Sequence, residues 1–416
     1  MAPVPQIALP IASHVTSLWY RIGCACCITA LWLAAPLRVA AGDRDEVLKS
    51  FVLPDGWLVE QVAGAPLVEH PLMAGFDDRG RLYVAEAAGV NLKRAELEAQ
   101  TPNSIRRLQD VDGDGRFDKH TVFADKLTFP QGALWHRGAV YAASSGAIWK
   151  FVDADDDGVA ELREPIVKGF GYTGNAADVH GPFLAPSGRL VWCEGRHGHE
   201  IFDRGGKLVS KGQAARIFSS RLDGSDVQVH CGGGMDNPVE VDFTPEGEML
   251  GDVNLFYRQR GDCFVHWQHG GVYPREDQPD CLAEFRRTGP LLGEVADLGH
   301  VAVSGLCRTR SVERKGTAED PLEWFVTEFN SHKVVRLTTR RHGATFEADV
   351  QDFLHSTHDD FHPTDVLEDA DGSLLAIDTG GWFLNGCPTS QVAKPEALGG
   401  IYRLRRRDAK PLDDPR

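Results

Sequence analysis

The chain of 416 residues carries 60 acidic and 44 basic side chains, for a formal net charge of −16. Its 42% hydrophobic and 25% charged content is ordinary for a globular protein and excludes a wholly disordered or collagen-like chain. The acidic excess excludes nucleic acid or an anionic membrane as the main partner.

No Asp or Glu precedes Asp43, Arg21 stands before an apolar run from Ile22 to Pro36, and Val39-Ala40-Ala41 supplies small residues. This is the pattern of a secretory signal cleaved before Gly42, so residues 1–41 are expected to direct export to the periplasm or outside. An uncleaved membrane anchor is the alternative. Without that segment the charge is −18, and Cys193, Cys231, Cys263, Cys281, Cys307 and Cys387 remain. None forms a C-x-x-C pair, so zinc-ribbon and c-type haem signatures are missing and no haem is expected. One or two disulfides are open, with no pairing fixed by spacing.

Six segments then repeat one pattern: a polar residue and usually Pro, an apolar strand, a Gly turn, and a second apolar strand ending in a polar residue. They begin at His70-Pro71, Phe129-Pro130, Gly181-Pro182, Asn237-Pro238, a degenerate Gly305-Leu306, and His362-Pro363. The prolines are separated by 59, 52, 56 and 125 residues, the last gap spanning two units. A period near 60 suits a four-stranded propeller blade. Further strands fit at Ala147–Val152, Ala215–Ser219 and Lys333–Leu337, and a helical insert at Asn91–Glu98. The fold expected is an all-β, six-bladed propeller of antiparallel blades over 42–407, with a tail at 408–416. Two β-sandwiches would be the alternative, but they leave the shared pattern unexplained.

In a propeller, equal repeat offsets form a ring about the axis. If the Pro-containing strand is innermost, His70, His180, Asn237 and His362 line one mouth, with His300 just ahead of the fifth unit and Phe129 as the apolar exception. Imidazoles there offer donors, acceptors and general-base capacity; His-Pro and Asn-Pro are equally turn chemistry. The second-strand ends Glu86, Glu194, Glu328 and Asp378 form another ring, either functional or a solvated rim.

Two loops are rich in aspartate. Asp110, Asp112, Asp114 and Asp118 punctuate one, and Asp153, Asp155, Asp157, Glu161 and Glu164 the other. Carboxylates at alternate positions of a tight Gly-containing turn can converge on calcium. The second loop matches the EF-hand pattern, but a strand precedes it and Pro165 follows, so a strand–loop–strand site is expected. Such ions would be structural.

The run Asp110–Asp125, Phe129-Pro130, the aspartates from Asp153, Gly169-Phe170-Gly171 and Gly400-Ile401-Tyr402-Arg403 resemble the membrane-bound dehydrogenase domain family over Phe51–Arg406. That resemblance implies an exported propeller. More distantly the chain is similar to soluble quinoprotein glucose and aldose sugar dehydrogenases, which are six-bladed propellers using pyrroloquinoline quinone (PQQ) and calcium. The similarity implies His180, ahead of Gly188-Arg189-Leu190, as general base. It aligns Asn237 with a quinone contact, but Asp236 replaces the neighbouring Arg, and His362 replaces a second Arg. An Asp there would repel quinone carboxylates; Arg196 and Lys333 are the cations that could compensate.

Three functions follow as alternatives. The first is a sugar or alcohol oxidoreductase with a separate electron acceptor, in which His180 takes the hydroxyl proton and Asn237, Arg196, His362, His70 and Lys333 contact the cofactor or substrate. The second is a non-catalytic propeller binding a carbohydrate or a protein at the channel mouth. The third is a calcium-dependent lactonase with Glu86, Asn237 or Asp378 as ligands. His197 and His199 read as a polar loop or a metal pair, and Trp267, Tyr273 and Trp382 as sugar platforms or core aromatics.

Overall fold

The computed structural model describes residues 41–233, 235–256, 261–310, 320–384 and 391–409, with residues 41–45 described by their backbone alone. The expected leader before Ala41, Gly234, Cys387 and the tail beyond Ala409 lie outside the described residues. No described helix is long and apolar enough to cross a membrane.

Each repeat unit becomes one antiparallel blade. Blade 1 holds Pro71–Phe76, Leu82–Glu86, Asn103–Gln109 and Lys119–Leu127; blade 2 holds Leu134–His136, Ala139–Ser144, Ala147–Val152 and Leu162–Lys168. Blade 3 holds His180–Leu184, Leu190–Glu194, Ala215–Ser220 and Gln228–Gly233, with Val272–Tyr273 added in parallel at its edge. Blade 4 holds Asn237–Phe243, Met249–Phe256, Gly261–His266 and Ala296–Gly299; blade 5 holds Val303–Arg308, Leu322–Glu328, Lys333–His342 and Thr345–Ser356. Blade 6 takes Pro363–Glu368, Leu374–Asp378 and Gly400–Arg406 from the C-terminal end and Trp57–Ala63 from the N-terminal side. That last pairing, Trp57 opposite Arg406 and Gln61 opposite Tyr402, closes the circle.

The recurring glycine has a conformational cause. Gly80, Gly138, Gly188, Gly247 and Gly372 sit in the first turn of five blades with φ between 77° and 88°. That left-handed region is open to glycine at little cost.

The six first strands touch one another in sequence around the axis, so the first strand of each blade, which carries the repeat proline in blades 1, 3, 4 and 6, is innermost. The core is divided accordingly. Six apolar clusters each join two neighbouring blades: Tyr83, Ile105 and Phe123 meet Phe151, and Tyr141 and Ile148 meet Trp192 and Phe218. Val191 and Ile217 meet Val241 and Val253; Phe264 meets Trp324; Phe325 and Leu354 meet Tyr402; and Ile377 and Ile401 meet Val84. No blade can bury both its faces alone, so closure of the ring and core formation are one event. This is one propeller, not two sandwiches.

Two expectations are revised. The helical insert spans Arg94–Gln100, starting three residues later than Asn91. Asn91 stays outside because its side chain is committed elsewhere: Nδ2 donates to the Trp382 carbonyl at 2.7 Å and Oδ1 accepts from the Leu384 amide at 2.8 Å. Cys193, Cys231, Cys263, Cys281 and Cys307 are free thiols, the first three inside the blade 3–4 core, so no disulfide joins any of these five.

Candidate ligand site on the propeller axis

Where the first strands converge they leave a cavity of about 200 Å³. Every blade contributes to it: Leu72 and Met73, Phe129 and Gln131, His180, Asn237 and Asn254, Val303 and Ser304, and Thr364. Leu72, Phe129, Ala302, Phe329, Trp382 and Phe383 pack into a seventh apolar cluster at this end, and Phe129, Phe329 and Phe383 line the cavity itself. Phe129, the apolar exception in the expected ring, is thus a wall of the site.

Three of the residues that contribute to the wall carry a buried polar atom without a hydrogen-bond partner. These atoms are Nδ1 of His180, Oδ1 of Asn237 and Oε1 of Gln131, on residues only 5%, 5% and 4% exposed. Gln131 spends its Nε2 on the Val179 carbonyl at 3.3 Å, which turns its other end free. Unpaired buried polar atoms are uncommon and costly, and the amide oxygens of Asn237 and Gln131 are acceptors that suit a ligand bearing hydroxyl donors. Burial pushes the His180 imidazole down to about 3, so it is neutral near pH 7. The repeat pattern marks Phe129 and Pro130 but not Gln131, whose only sequence signal is its place two residues after Phe129 on the approach to blade 2's first strand.

Charge enters through one trio. Arg196 Nη1 donates to both oxygens of Asp236 at 3.1 Å, and Arg275 Nη1 donates to Asp236 Oδ1 at 2.8 Å. Arg275 also meets Asp277 at 3.0 Å. The sequence suggests that Asp236 would repel an anion; the fold instead neutralises it with two guanidiniums, one of them from a residue 39 positions away. Arg196 lines the cavity with its side chain 44% exposed.

The other ring members lie off the cavity wall. His70 is buried, with Nδ1 at 3.1 Å from the Thr379 carbonyl. His362 is buried behind Phe329, with ring centroids 4.6 Å apart, and beside His332 at 5.0 Å. Lys333 is drawn away by Asp352, to which its Nζ donates at 2.9 and 3.0 Å. His300 is exposed.

The acidic ring is neither a solvated rim nor a metal cage. Glu86 Oε1 accepts the amides of Glu69 and His70 at 2.6 and 3.0 Å, and Asp378 Oδ1 accepts those of His362 and Gly380 at 2.8 and 3.0 Å. Glu194 holds His199 Nδ1 at 2.8 Å. All are buried, and burial raises Glu86 to about 7 and Glu194 well above its usual range. These carboxyls tie the entry of an inner strand or a neighbouring loop to the second strand. Glu86 and Asp378 do not line the cavity as the lactonase reading requires. His199, placed in a polar loop by sequence, is buried between Glu194 and Ser210, its Nε2 2.8 Å from the Ser210 hydroxyl. Trp267 and Tyr273 are core aromatics in mutual edge contact, centroids 4.7 Å apart.

The aspartate loops are the matching third-to-fourth strand connections of blades 1 and 2. One ligand oxygen each from Asp153, Asp155, Asp157 and Glu161 lies within 4.8 Å of the others, and so do those of Asp110, Asp112 and Asp118. This donor set suits a hard divalent cation, which would pin the loop and take no part in chemistry at the axis. The buried Oδ1 of Asp153 has no partner, while its Oδ2 holds Arg107 at 3.1 Å and the Gly158 amide at 2.8 Å. Glu164 and Asp114 are outside these groups: Glu164 is exposed and 3.9 Å from Arg204, and Asp114 Oδ1 instead accepts the Arg116 amide at 2.8 Å. Asp156 is taken by Arg79 and Arg81 at 2.6 Å.

PQQ is a tricarboxylate. The cavity's only lining cation among the described residues is Arg196, and it faces Asp236. The rest of the wall is apolar or neutral, so the residues present do not fit that cofactor.

A closed ring of six antiparallel blades around an axial cavity defines the six-bladed β-propeller class. Residues 43–254 match the profile of a domain of unknown function, DUF7133, and the chain belongs to that family. No curated protein matches the chain. Similar solved structures include the PQQ domain of pyranose dehydrogenase from Coprinopsis cinerea, at TM-score 0.57 and 14% identity, covering 86% of this chain and 97% of that one. An oxidoreductase (glucose dehydrogenase) from Thermus thermophilus gives 0.55 and 16%, covering 84% and 100%. The calcium structure of a Trichoderma reesei carbohydrate-active enzyme of family AA12 gives 0.55 and 14%, covering 86% and 97%. At these identities the likeness is one of fold.

Proposed function

We propose that the protein binds a small hydroxyl-bearing organic molecule in the axial cavity. The observation that carries this reading is the set of unpartnered polar atoms on His180, Asn237 and Gln131, three residues of a cavity whose accessible lining is mostly apolar. Neutral His180 and the two amide carbonyls accept or share hydroxyl protons, while Phe129, Phe329 and Phe383 cover the ligand's apolar body. Magnitude favours binding over catalysis. An imidazole held at about 3 accepts a hydrogen bond readily but is a weak general base near pH 7, where catalytic groups work best with matched values.

The second reading is an alcohol or sugar oxidoreductase that passes electrons to a separate acceptor. It is favoured by His180 at the cavity wall and by the likeness of the fold to a pyranose dehydrogenase domain and a glucose dehydrogenase. Structural calcium at Asp153, Asp155, Asp157 and Glu161 belongs to either reading.

One experiment separates them. The purified protein is titrated calorimetrically with small alcohols, then assayed for oxidation of alcohols and aldoses with a soluble quinone as the two-electron acceptor, with and without PQQ and calcium. Binding that weakens in Asn237→Ala, with no turnover, supports the first reading. Turnover lost in His180→Ala establishes the second. Neither binding nor turnover removes both.

A further inference from the structure

Arg196 is the cation on the cavity wall, and its bonds are unevenly spent. Both contacts to Asp236 are made by one nitrogen, Nη1. Its Nε and Nη2 have no partner among the described residues, and the side chain is 44% exposed. Asp236, only 5% exposed at its side chain, is already held by Arg275. A guanidinium with an open edge is a fork that matches a carboxylate in two parallel hydrogen bonds. The companion charges limit what it can take. Asp236 stands beside it, and Arg275 divides its charge between Asp236 and Asp277. The two guanidiniums and two carboxylates sum to zero charge, so every charge a ligand adds is uncompensated locally. A single carboxylate on the open edge of Arg196 is the smallest such load, well below a phosphate dianion or a polycarboxylate.

We infer that the axial cavity recognises a hydroxy acid with an apolar body, its single carboxylate on Arg196 and its hydroxyl proton donated to Asn237 Oδ1, with the His180 ring beside it. This rests on the cavity reading above and narrows its ligand class. The apolar body lies against Leu72, Phe129, Phe329 and Phe383, which a polyhydroxylated sugar would use poorly.

The test compares 3-phenyllactate with neutral 3-phenyl-1,2-propanediol, in which the carboxylate is replaced by a CH₂OH group, by titration calorimetry on the purified protein. PQQ is a third probe, followed by absorbance. The expected result is at least a tenfold preference for phenyllactate, lost in Arg196→Gln and partly kept in Arg196→Lys, with diol affinity little changed. Equal affinities for the two probes on the unaltered protein overturn the inference and leave the cavity reading standing. A preference that survives Arg196→Gln also overturns it. Tighter binding of PQQ than of phenyllactate overturns the single-carboxylate assignment, and binding of no probe removes both inference and reading. The two-probe comparison on the unaltered protein stands even if Arg196→Gln folds poorly.

Discussion

Arg275 and Asp236 form a buried ion pair at 2.8 Å, and the residue after Asp236 is Asn237, a wall of the axial cavity. The pair thus fixes the first residue of blade 4's inner strand. Breaking a buried pair on one side strands the other charge in a poorly solvated place. Asp236→Ala is expected to cost about 3 kcal/mol, read in urea denaturation. Asp236→Asn, which keeps an acceptor for one guanidinium, is expected to cost less. Equal stability of Asp236→Ala and the parent would show that the pair contributes nothing.

Asp252 gives a pH dependence with a defined sign. It is fully buried, its Oδ1 accepts the Glu240 amide at 2.8 Å, and its Oδ2 has no partner. Burial raises it to about 7, against an ordinary value of 3.8. Between those values the folded protein holds a proton that the unfolded chain has lost, so this group's contribution to stability falls from about pH 4 to pH 7 and is flat above. Buried His180 and His362 are pushed below their usual value and give the opposite slope below about pH 6.5, so the parent's own profile is a mixture. The difference between Asp252→Asn and the parent isolates the aspartate. The variant is expected to match the parent near pH 4.5 and to gain about 3 kcal/mol over it by pH 8. A difference independent of pH would contradict the burial argument.

Ligand binding should ignore imidazole titration. With His180 held at about 3, its charge state does not change between pH 5 and 8. Affinity for 3-phenyl-1,2-propanediol is expected to be flat across that range in calorimetry. A transition near pH 6.5 would mean that His180 meets bulk water and is not the buried acceptor described.

Calcium is expected to raise the melting temperature, because an ion bound only by the folded loop stabilises it by mass action. The double substitution Asp157→Asn and Glu161→Gln is expected to remove the effect, since both belong to the convergent oxygens. Magnesium, which demands tighter octahedral geometry, should act less. An unchanged melting temperature in millimolar calcium would show the loops to be hydrogen-bonded turns only.

The repeat was readable from the chain because propeller blades are local: each hairpin needs its own glycine at positive φ and its own apolar strand, and both leave marks at fixed spacing, as at Gly80, Gly188 and Gly372. Placing His180 and Asn237 in one cavity followed from nearly the same spacing, Asn237 one residue and His180 two residues before the repeat proline. His70 and His362 share the offset of Asn237 and miss the wall, because orientation about the strand is set by neighbours such as Thr379 and Phe329, which the repeat does not encode.

Sequence by itself therefore determined the number of blades, the paired aspartate loops and the acidic excess, all properties of short segments. Tertiary structure alone decided charge and solvation. Asp236 reads as a repulsive neighbour until Arg275 arrives from another loop, and Lys333 reads as a cofactor cation until Asp352, on the next strand, claims it. Electrostatics depends on distance through space and on exclusion of water, and neither is fixed until the ring closes.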